Sequence, residues 1–332
     1  MKLANRQILV TGATGFLGSH LVEALVREGC QVRALAHYRS DQSPSGTGNI
    51  ALLPAEVLDG VELVWGDVCD RDSVTAAMRG IEVVFHLAAL IGIPYSYQAP
   101  SSYLQVNAGG TLNLLQAARD AGVGRFVHTS TSEVYGTAQY TPIDEKHPLV
   151  AQSPYAASKI AADKLAESFH RSFDLAVVTV RPFNAFGPRQ TDRAVIPTII
   201  SQRLADIDPV VIGNAKSTRD FTFASDTARG FVRAAACDDA VGQTVNLGTG
   251  QGITIGELAE VICALTSGGS YRSDTARKRP DKSEVQELLC NADRAAELLD
   301  WRASTTLKDG LLATIDFIRT NPDRYRPTLY GV

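Results

Sequence analysis

Tyr155 and Lys159 stand four residues apart in the stretch Tyr155-Ala156-Ala157-Ser158-Lys159, inside an Ala-, Lys- and Glu-rich segment that runs to Phe173. On a helix this spacing puts both side chains on one face, one turn apart. A phenol ionises at about pH 10, and a neighbouring ammonium favours the phenolate, so the pair makes a general base usable near neutrality. A second chemical signal is the turn Thr11-Gly12-Ala13-Thr14-Gly15-Phe16-Leu17-Gly18. It follows a short apolar run, Gln7–Thr11, and opens a segment with helical spacing that Gly29 closes. Strand, glycine turn and helix in this order suit a dinucleotide pyrophosphate. The first glycine allows the tight turn, the second lets backbone approach phosphate, and the third lets helix and strand pack closely. The free N–H groups of the helix N-terminus then face the anion. Gly12, Thr14, Gly15, Phe16 and Leu17 are the expected contacts.

The end of the next strand separates NAD from NADP. An acid there binds the ribose 2′-hydroxyl, whereas an arginine accepts a 2′-phosphate. The sequence reads Ala36-His37-Tyr38-Arg39, with no acid. Arg39 is therefore a candidate for a 2′-phosphate, and the choice between NAD and NADP stays open.

These groups need a scaffold, and the first 180 residues supply its signature. Apolar strand signals at Gln7–Thr11, Gln31–Ala36, Val61–Trp65, Glu82–Leu87, Arg125–Ser130 and Leu175–Val180 alternate with helical patterns at Phe16–Glu28, Arg71–Arg79, Leu104–Ala121 and Tyr155–Phe173. Repeated β-α units predict an α/β fold, a doubly wound parallel sheet of the Rossmann kind, over residues 1–180. After Arg181 the elements shorten, Pro and Gly become frequent, and a strand signal such as Thr244–Leu247 stands in isolation. Residues 181–332 are expected to form a smaller substrate-binding domain, with some segments returning to the first.

The glycine spacing GxxGxxG together with YxxxK on the helix after the fifth strand resembles the extended branch of the short-chain dehydrogenase/reductase superfamily. The resemblance covers nearly the whole chain. It implies that Asp67, with Val68, meets the adenine, and that Leu87, Ala88 and Ala89 line the ribose and nicotinamide side. It also implies that Thr131 hydrogen-bonds the reacting hydroxyl. In Thr131-Ser132-Glu133 the glutamate resembles the base of sugar-nucleotide 4,6-dehydratases, which removes the C5 proton once C4 is oxidised. Ser132 stands where thymidine-diphosphoglucose dehydratases have an aspartic acid, so the acid for the departing C6 hydroxyl is either Ser132 as a relay or Glu133 itself. Asn184, Val195, Arg219 and Arg279 resemble the residues that hold the sugar nucleotide. The arginines suit the diphosphate because guanidinium forks match phosphate oxygens. The stretches STSEVYGTAQY, QSPYAASKIAADK and RPDKSEVQELLC are similar to NAD-dependent dehydratases of the legionaminic-acid type, which act on nucleotide-linked N-acetylglucosamine. A UDP-glucuronate decarboxylase or a 4-epimerase of the same branch is the alternative. A non-enzymatic dinucleotide sensor would be expected to have lost the Tyr/Lys pair.

Composition narrows the remaining classes. Of 332 residues, 45% are hydrophobic and 20% charged, with 32 Lys and Arg against 36 Asp and Glu. A net charge of −4 argues against a generally basic nucleic-acid binder. The five cysteines form no CxxC or Cys/His cluster, so neither a zinc site nor a disulfide framework is expected. The first apolar run is too short for a signal peptide or a membrane span, and a cytoplasmic protein is expected. The branch commonly pairs two helices per subunit into a four-helix bundle, which implies a homodimer through Leu104–Ala121 and Tyr155–Phe173.

Overall fold

The computed structural model describes residues 1–37, 47–277 and 279–328. Arg39 therefore lies outside the described residues. Six strands arise in chain order: β1 (Gln7–Thr11), β2 (Gln31–Ala36), β3 (Val61–Trp65), β4 (Val83–His86), β5 (Arg125–Thr129) and β6 (Val177–Pro182). Between them lie α1 (Phe16–Arg27), α2 (Arg71–Ala77), α3 (Gly110–Asp120) and α4 (Pro154–Phe173). The strand Thr244–Leu247 joins them, and the seven run in the order Thr244–Leu247, β6, β5, β4, β1, β2, β3. Every pair is parallel. Continuous apolar runs suit this, because a parallel sheet is covered on both faces.

One face packs against α1 and the helix Ala224–Ala236, through Leu21, Leu25, Phe231 and Trp301. The other face packs against α2, α3 and α4, through Val74, Leu114, Leu115, Phe126 and Phe169. The long helix α4 starts where its sequence dictates: Ser153 accepts from the Ala156 amide at 3.1 Å, and Pro154 supplies a preset φ in the first turn. A third cluster, including Phe186, Ile199, Leu258, Ile262 and Leu311, forms the core of the C-terminal half.

Two elements differ from the sequence expectation. Thr244–Leu247 is not isolated. It pairs with β6 in the register Asn246↔Arg181 and extends the main sheet from far along the chain. Leu104–Ala121 is not one regular helix, since Leu104–Gly109 forms a π-helical turn that precedes α3. Such turns often mark functional positions, and here the turn carries Asn107.

Candidate active site

The glycine turn sits where β1 and β4 end side by side. Gly12 has φ +69°, and a Cβ on it would lie 2.7 Å from the Ala88 amide nitrogen. A Cβ on Gly18 would collide with the Gly12 carbonyl oxygen. Neither position tolerates a side chain. The N-terminus of α1 has no side-chain cap and no acid in its first turn, so its N–H groups remain available to an anion. The cradle thus fits a dinucleotide pyrophosphate. Thr14 offers its carbonyl to the Asn49 amide at 2.9 Å, while Phe16 stacks edge-on against His20 and Leu17 packs into the first core cluster.

Around this cradle the end of β4 is fixed by hydrogen bonds. Thr11 Oγ1 lies 2.8 Å from His86 Nδ1 and accepts from the Ala88 amide at 3.2 Å. His86 Nε2 lies 2.9 Å from Thr111 Oγ1. Burial, together with the nearby His128 and Lys159, pushes His86 well below the ordinary histidine range. Asn107 holds the chain just beyond Ala89. Its Oδ1 accepts from the Leu90 amide at 2.8 Å, and its Nδ2 donates to Leu90 O and to Ser158 Oγ, both at 2.9 Å. Asp67 follows β3 and accepts from the Cys69 amide at 2.8 Å. Its other oxygen is 3.9 Å from His37 Nδ1, at the end of β2. Val68 is buried against Gly110.

Tyr155 and Lys159 project from the first two turns of α4, both buried. Lys159 Nζ donates to the Thr129 carbonyl at the end of β5, at 2.7 Å. Burial pushes the Lys159 ammonium down to about 8, and the Asp163 carboxylate pulls it back up. The Tyr155 phenol is pushed above its ordinary value by burial, against a hydrogen bond with Thr131 and with the Glu133 charge adding to the rise. The expectation of a phenol drawn toward neutrality is thus opposed by the cost of burying its charge.

Thr131, Ser132 and Glu133 sit on the tight turn after β5. Thr131 Oγ1 accepts from the Glu133 amide at 3.2 Å, and Ser132 is buried. The turn places the Glu133 carboxylate against the C-terminal half, 3.7 Å from Arg279. Arg219 joins this group. Its guanidinium donates to Thr218 O at 2.9 Å and to Val285 O at 2.8 Å, and lies 3.6 Å from Glu284. Burial and the adjacent Arg279 cation lower Arg219, while Glu133 and Glu284 oppose this. Among the described residues, Arg279 Nη1, which faces Glu133, and Asn184 Oδ1 are buried with no hydrogen-bond partner, as suits groups that receive a polar ligand. Val195 opens the helix Val195–Leu204 and packs beside the third core cluster.

The structure therefore gathers Tyr155, Lys159, Thr131, Ser132 and Glu133 at one end of β5, with Arg219 and Arg279 facing them. Three polar residues that the sequence patterns do not single out, Asn107, Asp163 and Arg181, are equally buried there. Their signal was present but weak: polar side chains at positions where helix and strand spacing calls for apolar ones.

A family model described as GDP-mannose 4,6 dehydratase matches residues 9–314. A UDP-glucose 4-epimerase of Mycolicibacterium smegmatis is 34% identical over 318 residues, covering 94% of this chain and 98% of the relative. A dTDP-glucose 4,6-dehydratase of Actinoplanes sp. is 32% identical, covering 95% and 98%. Among solved structures, DesIV, the dTDP-glucose 4,6-dehydratase of Streptomyces venezuelae with NAD bound, superimposes with a TM-score of 0.86 at 29% identity, covering 97% of this chain and 99% of that one. The fold, the glycine cradle and nearly full-length similarity agree: the chain belongs to the GDP-mannose 4,6 dehydratase family, alongside sugar-nucleotide dehydratases and epimerases.

Proposed function

We propose that the protein is an NAD-dependent sugar-nucleotide 4,6-dehydratase that forms a 4-keto-6-deoxy sugar. The observation that carries this reading is Glu133, a carboxylate held on the same turn as Thr131, beside Tyr155 and facing the substrate arginines. A C4 epimerisation needs no such base. NAD fits the glycine cradle and is bound by the similar dehydratase DesIV. Bound NAD would supply a hydride acceptor for sugar C4 and donor for C6, so turnover would need no external reductant. Gly12, Gly15 and the α1 N-terminus would hold its pyrophosphate, and Ala88 and Ala89 would lie on the nicotinamide side.

Tyr155, supported by Lys159 and Thr131, takes the proton from the C4 hydroxyl. The resulting 4-keto group acidifies the C5 hydrogen, which Glu133 removes. Water then leaves from C6, with Ser132 or the protonated Glu133 as the acid, and the 4-keto-6-deoxy sugar is completed by hydride at C6 and a proton at C5. Arg219 and Arg279 bind the diphosphate, and Asn184 offers the sugar nucleotide a buried oxygen that has no partner among the described residues. The likeness of STSEVYGTAQY and RPDKSEVQELLC to legionaminic-acid-type enzymes makes nucleotide-linked N-acetylglucosamine the first substrate to try. A second reading, 4-epimerisation, is favoured by the 34% identical UDP-glucose 4-epimerase.

Incubation with UDP-N-acetylglucosamine, UDP-glucose, dTDP-glucose, GDP-mannose and UDP-glucuronate, followed by mass measurement, separates these readings. Loss of water supports the dehydratase. Unchanged mass with inverted C4 establishes the epimerase, and loss of carbon dioxide a decarboxylase.

A further inference from the structure

Asp163 lies one helical turn beyond Lys159, so Tyr155, Lys159 and Asp163 follow one another at i, i+4 and i+8 along α4. An isolated buried carboxylate is costly unless fully partnered. Asp163 is almost fully buried, and each oxygen is engaged. Oδ1 faces His128 Nε2 at 2.9 Å. Oδ2 accepts from Ser130 Oγ at 2.8 Å and from Arg181 Nη2 at 2.9 Å. His128 and Ser130 flank Thr129, whose carbonyl accepts the Lys159 ammonium. Arg181, on β6, is in turn fixed by Tyr135, whose hydroxyl accepts from Arg181 Nη1 at 3.0 Å and donates to Asn246 Oδ1 at 2.7 Å. One carboxylate thus ties together α4, the end of β5 and β6, and sits among two cations.

We propose that Asp163 is a positioning residue, the counter-ion that holds Lys159 as an ammonium and pins the β5 end carrying Thr129, Ser130 and Thr131. It touches no reacting atom. The proposal rests on the reading of Tyr155 and Lys159 as the catalytic pair.

The charged surroundings support a counter-ion role over a merely structural one. Lys159 is faced by His86 from β4 and His128 from β5, both driven toward the neutral form by burial. Arg181 is a full cation, raised by Asp163 and Tyr135 against its burial. Glu133 bears on Tyr155 and Arg219 from the far side of the site. Asp163 is the anion that raises Lys159, and it is held down at about 2 by its partners, His128 and Arg181 first, against the cost of burial. Behind it lies a cavity of about 300 Å³, also lined by Glu145 and Arg294. Removing the Asp163 charge leaves Arg181 as an uncompensated cation near Lys159, so both changes drive the ammonium to lose its proton. An opposite charge at close range typically shifts a pKa by about 1–3 units.

The test is a lysine side-chain NMR titration of the intact protein, with Lys159 assigned by its loss in Lys159→Arg. Wild type and variants are compared at the same NAD loading. Asp163→Asn keeps the size and removes the charge, and it is expected to move the Lys159 midpoint down by about one unit or more. Asp163→Ser, in which water fills the vacated space, is the second charge-removing variant should Asn not fold. Asp163→Glu restores the charge and is expected to return the midpoint toward wild type. A Lys159 midpoint that stays at the wild-type pH in a folded, uncharged variant overturns the proposal. Because the readout is a lysine titration and not turnover, it is separate from the mass measurement that tests the dehydratase reading.

Discussion

Lys159→Met is expected to make the protein more stable and far less active. The ammonium sits almost fully buried with its midpoint lowered from 10.5 to about 8. That gap of about 2.5 units corresponds to about 3 kcal/mol of destabilisation while the lysine is charged in both states. Because the folded value lies below the unfolded one, the penalty is full below about pH 8, shrinks as pH rises, and vanishes above about 10.5. Methionine has a similar length and no charge, so it avoids this penalty. It forfeits the 2.7 Å bond to the Thr129 carbonyl, which costs about 1 kcal/mol. The net gain near pH 7 is therefore about 2 kcal/mol, and most of the gain should disappear by pH 10. Urea unfolding of both proteins at pH 7, 8.5 and 10 measures the difference directly. Turnover should fall by about 10²–10⁴-fold, because Tyr155 loses the cation that favours its phenolate. A variant less stable than wild type at pH 7, by an amount that does not change up to pH 10, would refute the buried-cation reasoning.

Gly12→Ala is expected to abolish dinucleotide binding, since it adds backbone strain at φ +69° and a clash with the Ala88 amide; calorimetric titration with NAD reads it, and wild-type affinity would contradict the cradle. Glu133→Gln keeps the size and removes the base, so C4 oxidation should persist, visible as transient absorbance of reduced nicotinamide, while water loss slows by about 10²–10⁴-fold. Normal deuterium uptake at C5 by this variant in deuterated water would remove Glu133 from the elimination. The groove lined by Leu104, Ala108, Leu112 and Leu165, in which Leu104 is 58% exposed, is proposed as the face that meets a second copy; sedimentation should show a dimer for wild type and a monomer for Leu112→Glu, and a monomeric wild type would exclude it.

The parts of the site legible in the sequence are those whose chemistry demands a residue type at a fixed local spacing. Gly12, Gly15 and Gly18 read as a phosphate turn from their spacing, and the backbone at Gly12 and the packing at Gly18 exclude a side chain. Tyr155 and Lys159 read as a pair because one helical turn separates them. The parallel sheet read well for the same reason, with β1 to β6 each a compact apolar run. What escaped is non-local. Thr244–Leu247 looks isolated until the register Asn246↔Arg181 places it beside β6. The π-helical turn at Leu104–Gly109 has no signature beyond Gly109 and the Gly110 that follows it, yet it delivers Asn107 to Leu90 and Ser158.

Asp163 shows why such residues hide. Its position on α4 fits a buried helix face, where a carboxylate breaks the pattern, and only the fold supplies the His128, Ser130 and Arg181 that justify it. The same holds for Glu133 and Arg279, distant in the chain and 3.7 Å apart in space. Among the described residues, the carboxylate of Glu133 faces the guanidinium of Arg279, and that of Glu284 faces Arg219. On the proposed function, a diphosphate entering there would compete with Glu133 for Arg279, and binding of the substrate's phosphates would be coupled, in one exchange, to release of the carboxylate proposed to act on its sugar. An Arg279→Met variant separates the two: it should weaken binding of the free nucleoside diphosphate and remove the guanidinium nearest Glu133, leaving Arg219 as its remaining cation. If the variant binds UDP or dTDP as tightly as wild type, Arg279 is a partner of Glu133 alone and the exchange does not occur.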